Sequence, residues 1–140
     1  MIKNLSYNSN KIKILLTEMV GKPFPLIERF KLRGTGSNKL VITDASKEIV
    51  ELLKSDNNIN YCNIEIRKSG IIIRFKSLLE TYGFIIPFHK LVIFKGDSKL
   101  YSFYNDNNFI KFLADNKSIH LFIKKVIKLK SEYQNKMGLN

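Results

Sequence analysis

Residues 61–113 read YCNIEIRKSGIIIRFKSLLETYGFIIPFHKLVIFKGDSKLYSFYNDNNFIKFL. Short β-branched and aromatic runs alternate there with Gly, Asp and Asn punctuation, the pattern of an antiparallel meander. Side chains on a strand alternate faces, so a correct register must set apolar residues opposite apolar residues. Pairing Ile66 with Ile71 sets Ile64 opposite Ile73 and Cys62 opposite Phe75. The next hairpin sets Phe75 opposite Tyr82, Ile73 opposite Phe84 and Ile71 opposite Ile86. Continued through Pro87-Phe88-His89-Lys90, the same rule pairs Phe84 with Ile93 and Ile86 with Leu91. Across Gly96-Asp97-Ser98 it pairs Ile93 with Tyr101 and Leu91 with Phe103. The turn Asn105-Asp106-Asn107-Asn108 then puts Phe103 beside Ile110 and Tyr101 beside Phe112. One continuous apolar face is the expectation. Lys68-Ser69 is its weak joint, because neither residue favours the positive φ of a two-residue hairpin, and a bulge at Gly70 would shift the register.

Outward from the meander, Ser9 caps a helix to Val20 with Ile12, Leu15, Leu16, Met19 and Val20 on one face, stopped by Gly21 and Pro23. Its stripe is the ordinary width for packing on a sheet. Leu26–Arg33 and Lys39–Thr43 read as a β-hairpin around Gly34-Thr35-Gly36-Ser37-Asn38. Backbone N–H groups in that loop, flanked by Arg33 and Lys39, form a candidate anion nest. Neither GxxxxGK[ST] nor GxGxxG is present, however, and a plain hairpin loop is the favoured reading. Asp44 caps a short helix from Ala45 to Lys54, and Ser55-Asp56-Asn57-Asn58 leads into the meander. After it, Asp115 or Asn116 caps a last helix to Tyr133 striped by Ile119, Phe122, Ile123, Val126 and Leu129. Residues 135–140 read as a loose tail.

The chain of 140 residues fits a single domain able to bury its own core. Cys62 is the sole cysteine, points inward in the predicted register and has no Cys or His companion, as expected of a structural thiol in a reducing compartment. No apolar run approaches the roughly 18–20 residues of a membrane helix and no signal-peptide core follows Met1, so a cytoplasmic address is expected.

The net charge of +12 suits a nucleic acid or an anionic membrane. The bias toward Ile, Lys and Asn, with Arg only at positions 29, 33, 67 and 74, favours instead the compositional drift of an A+T-rich genome. Two cationic groups remain candidates for anion or partner binding. Arg67, Arg74 and Lys76 share the face opposite the apolar one, with Lys68 at the turn and Glu65 among them to blunt the charge. In the last helix Lys124, Lys125 and Lys128 flank or oppose the apolar stripe, and from Lys117 onward six Lys face one Glu132, a balance of +5.

Catalytic chemistry is harder to place. His89 and His120 lack metal-ligand spacing to another strong ligand, no HExxH, EF-hand or zinc pattern occurs, and no nucleophile elbow or Cys/His pair is present. Glu65 and Glu80, or Glu48 and Glu51, have no spacing that would hold two acids for proton transfer. The expectation is a non-enzyme without cofactor or metal.

Gly70-Ile71-Ile72-Ile73 followed by Ile85-Ile86-Pro87-Phe88-His89-Lys90-Leu91, within strand pairs leading to a long closing helix, resembles bacterial pleckstrin-homology-like (PH-like) domains. The resemblance covers residues 25–134 and leaves residues 1–24 as a helical extension. It implies an α+β fold, a strongly bent antiparallel sheet or partly open barrel of about seven strands, plugged by the last helix and carrying an inserted short helix. It also implies a binding module for lipids, peptides or proteins. Lipid-binding members carry their basic residues on the first hairpin, whereas Lys68, Arg74 and Lys76 fall on the second. A protein- or peptide-binding module, self-associating through a sheet edge, is the leading expectation; a binder of acidic phospholipid or nucleic acid is the second and an unrecognised enzyme the third.

Overall fold

The computed structural model describes residues 1–7, 9–54, 59–97 and 99–138. Among them the chain runs β1 (Ile2–Asn4), α1 (Asn10–Val20), α2 (Leu26–Lys31), β2 (Leu40–Ala45), α3 (Lys47–Leu53), β3 (Tyr61–Arg67), β4 (Gly70–Ser77), β5 (Glu80–Pro87), a 3-10 turn (Phe88–Lys90), β6 (Val92–Lys95), β7 (Leu100–Asn105), β8 (Asn108–Leu113) and α4 (Lys117–Lys136). The expected tetrapeptide 55–58 lies outside the described residues. The strands form one antiparallel sheet in the order β1-β5-β4-β3-β2-β8-β7-β6, an α+β architecture closed by a long C-terminal helix.

Alternation fixes the first hairpins as expected. Ile66 lies opposite Ile71, Ile64 opposite Ile73 and Cys62 opposite Phe75; Phe75 faces Tyr82, Ile73 faces Phe84 and Ile71 faces Ile86. No bulge intervenes at Gly70, which pairs directly with Arg67. Gly70 is required for a different reason. A Cβ there would come within 2.5 Å of the Ile86 carbonyl oxygen and of Val20 Cγ1, so the strand approaches its neighbour and α1 too closely for any side chain.

The meander breaks after β5. The segment expected to turn back on it forms the 3-10 turn instead and carries the chain to the far edge, so neither Phe84–Ile93 nor Ile86–Leu91 pairs. Ile93 faces Phe103 and Lys95 faces Tyr101, two residues away from the expected register, whereas Phe103–Ile110 and Tyr101–Phe112 hold. The halves are joined by β2, whose Leu40 and Val41 pair with β3 and whose Ile42, Asp44 and Ala45 pair with β8 across an irregularity at Thr43. A bulge bends a strand and increases its twist, which lets one strand serve both halves.

All the inward residues named above join one core. Cys62, Ile64, Ile73, Phe84, Phe103 and Ile110 are buried together under Ile49 and Leu53 of α3, Phe88 of the turn, and Ile119, Phe122, Ile123 and Val126 of α4. On the opposite face Leu16 and Val20 of α1 seal Ile72 and Ile85 in a second cluster, as the α1 stripe predicts. Ser9 caps α1 through its hydroxyl and Gly21 ends it at φ 84°. Asn116 caps α4 by accepting from the Ile119 N–H, and the helix continues through Lys136, taking in part of the expected tail.

Three local expectations are corrected. Leu26–Lys31 is a helix, not a strand. Ser46 rather than Asp44 is the N-cap residue of α3; Asp44 instead accepts from the Ala45 N–H, and the Ser46 hydroxyl ties the helix start to Asn108 and Phe109 of β8. Residues 1–24 are more than a helical extension, since β1 pairs along β5.

Candidate functional site

Glu65 of β3 stands between the two arginines expected to form a cationic patch. Its carboxylate accepts from Arg67 Nε at 2.6 Å and from Arg74 at 2.6 Å. Arg67 is itself buried and also donates to the Gly21 carbonyl at the end of α1. Burial acts to raise the Glu65 pKa, but the hydrogen bonds and charges of the two guanidinium groups outweigh it, and the carboxyl lies below its ordinary value. Lys68 is exposed at the turn within 3.8 Å of Glu28, and Lys76 is exposed beyond the ion cluster. The hairpin therefore brings Arg67, Arg74 and Lys76 onto one face, two of them committed to Glu65, while Lys68 stands apart at the turn beside Glu28.

In α4, Lys124 and Lys128 are exposed, and Lys128 lies 4.0 Å from Glu132. Lys125 turns toward the loop after α2 and donates to the carbonyls of Gly34 (2.9 Å) and Arg33 (3.3 Å). The loop forms neither the favoured hairpin turn, since Leu26–Lys31 is helical, nor the candidate anion nest. Its Arg33 and Gly34 N–H groups bond back to Phe30 and Arg29 at the end of α2, and its Ser37 N–H bonds to Ile64 of β3. Its Arg33 and Gly34 carbonyls are the groups that hold the Lys125 ammonium.

The remaining titratable groups are dispersed. His89 is exposed on the 3-10 turn, and His120 places Nδ1 3.3 Å from the Tyr101 hydroxyl. Cys62 is in the core, where burial pushes its thiol up to about 12. Among the described residues no group of three His, Cys, Asp or Glu gathers as metal ligands, and no helix is long and apolar enough to cross a membrane.

The surface that sequence reading missed is the far edge of the sheet. The order of strands leaves β6 with a neighbour on one side only. Gly96 N–H donates to the Leu100 carbonyl, so along β6 the directly bonded pairs are Phe94–Ser102 and Val92–Tyr104. Ile93 and Lys95 lie between them, with N–H and C=O directed away from β7. Among the described residues nothing is bonded to these groups. Beside them Val92 and Phe94 point to the outer face at 59% and 61% exposure. Half-buried Leu100, Tyr104, Phe109 and Leu113 continue that face, with the Tyr104 and Phe109 rings 5.1 Å apart. An unpaired edge next to uncovered apolar side chains is a template for a further strand. Its signal in the sequence was the apolar Val92 and Phe94 at outward positions of a run read as internal to the meander.

Comparison with known proteins assigns no relative: no protein-family model, no curated protein and no solved structure matches this chain.

Proposed function

We propose that the protein is a non-catalytic binding module of PH-like plan that takes an extended peptide segment of a protein partner as an added strand along β6. The seven strands β2–β8, split into a set of four and a set of three with α4 across the core, support the PH-like plan. The observation that carries the binding reading is the edge itself, where the outward backbone of Ile93 and Lys95 borders exposed Val92 and Phe94. Main-chain hydrogen bonds would supply affinity and alternate side chains on the outer face the specificity. The test is selection of peptides from a random display library on the full chain, followed by Lys95→Pro and Phe94→Lys. Proline at an edge position removes only an outward N–H. Selected peptides carrying apolar residues at every second position, and weakened about tenfold or more by each substitution, are expected. Peptides that bind both variants unchanged would overturn the reading.

A second reading, binding to an anionic surface, is favoured by α2. This short helix buries none of its side chains and holds Leu26, Ile27 and Phe30 on one side, Phe30 at 86% exposure, between Arg29 and Lys31. Apolar residues set among cations suit the headgroup region of an acidic bilayer. Sedimentation with phosphatidylserine vesicles, and not with phosphatidylcholine vesicles, is expected, and Ile27→Glu/Phe30→Glu is expected to abolish it. Loss on Arg74→Ala/Lys76→Ala instead would return the site to the β3–β4 hairpin.

A further inference from the structure

A groove runs between the first half of α4 and the loop that leads into β2. Its volume is about 650 Å³, in the range of small-ligand clefts. Leu40, Ile119, Phe122 and Ile123, core residues of β2 and α4, supply an apolar floor. Arg33, Lys117 and Lys125 stand around it, and among the described residues no Asp or Glu lines it.

Lys125 is fixed in place by what it touches. Its ammonium donates to the Gly34 and Arg33 carbonyls and lies 5.6 Å from the centre of the Phe122 ring. These contacts orient the cation without cancelling its charge. Burial and the neighbouring Arg33 guanidinium lower its pKa, as expected where like charges meet without a counter-ion. The peptide edge at β6 uses none of these residues, and the ion cluster around Glu65 is a separate set.

An apolar floor alone would suit a neutral hydrophobe, and three cations alone would suit an inorganic anion. Their combination selects a ligand that has both parts. We infer that this groove binds an anionic amphiphile, its phosphate or carboxylate head held among Arg33, Lys117 and Lys125 and its apolar chain laid over Leu40, Ile119 and Phe122. The head gains charge-assisted hydrogen bonds while the chain leaves water. The same chemistry is offered by a free single-chain amphiphile and by an acidic lipid in a bilayer.

The inference is tested by following the methyl resonances of Leu40, Ile119 and Ile123 in the full chain during titration with decyl phosphate below its micelle concentration. Saturable shifts of these methyls are expected. Decanol is expected to bind about tenfold more weakly and inorganic phosphate to leave the methyls unmoved, since each lacks one half of the recognition. Arg33→Asn and Lys117→Gln together are expected to weaken decyl phosphate about tenfold. Asn tolerates the left-handed backbone of position 33, where φ is 59°, so the fold is kept. Bilayer discs containing phosphatidic acid identify the source: the same shifts there assign the ligand to a membrane, and shifts with decyl phosphate alone assign it to a free amphiphile. Equal affinity for decanol, an undiminished response in the double variant, or shifts confined to other methyls would overturn the inference.

Discussion

The outer face of β4 and β5 and the outer face of β6, β7 and β8 carry similar side chains and are treated differently. Ile72 and Ile85 are sealed beneath Leu16 and Val20 of α1, and β1 lies along the edge of β5. Among the described residues no helix covers Val92 and Phe94, and no strand lies beyond β6. In one half the first twenty residues cover the outer face and the edge of β5, leaving the three-residue β1 as the edge, whereas in the other half the longer β6 is the edge and Val92 and Phe94 stay exposed. Each fully buried Ile, Leu or Val contributes about 1.5–3 kcal/mol relative to exposure. The uncovered half forgoes that contribution unless another molecule supplies the cover. In the covered half the single Glu65 carboxylate is shared by Arg67 and Arg74 beside α1, which leaves one positive charge uncompensated there.

The comparison is broken most severely from the covered side. Glu65→Gln leaves the buried Arg67 guanidinium without a carboxylate, and a loss of about 3–5 kcal/mol is expected in urea denaturation. Since the folded Glu65 pKa lies below the unfolded value, its stabilisation is complete above the ordinary carboxylate range and is lost as pH falls through the folded pKa. The variant should therefore show a flatter fall in stability on the acid side. Ile72→Ala, which opens a cavity under α1, is expected to cost about 2–5 kcal/mol, read as a lower urea midpoint at unchanged slope. Gly70→Ala should cost about 1–3 kcal/mol, because backbone atoms of Ile86 and Pro87 would have to move.

On the uncovered side the same measurement should barely respond. Val92→Lys/Phe94→Lys is expected to change stability by no more than about 0.5 kcal/mol per site while abolishing peptide binding. A loss comparable to that of Ile72→Ala would mean that these side chains serve the fold, and the contrast between the halves would fail.

Alternation made the hairpins β3–β4 and β4–β5 legible to the residue, since a one-residue slip would turn Ile64, Ile73 and Phe84 outward. It could not locate the break after β5. Face parity says which way Leu91 and Ile93 point but not which strand lies beside them. A slip of two preserves parity, so alternation alone matches Ile93 to Tyr101 as readily as to Phe103. The helix at Leu26–Lys31 escaped because none of its side chains is buried and no core-facing period marks it; β1 escaped because three residues are too few to show one. Alternation does place Arg67, Arg74 and Lys76 on one face with Glu65. The strength of the Glu65 clasp was not legible, because it depends on α1 folding over that face and burying Arg67. The open edge depended on knowing the strand order.

Amide hydrogen exchange of the full chain, with and without a peptide selected from the display library, tests the central claim most directly. Protection is predicted to rise at the Ile93 and Lys95 amides, which point outward from β6, and to stay unchanged at Ile72 and Ile85 beneath α1. Unchanged exchange at Ile93 and Lys95 in the saturated complex would contradict it.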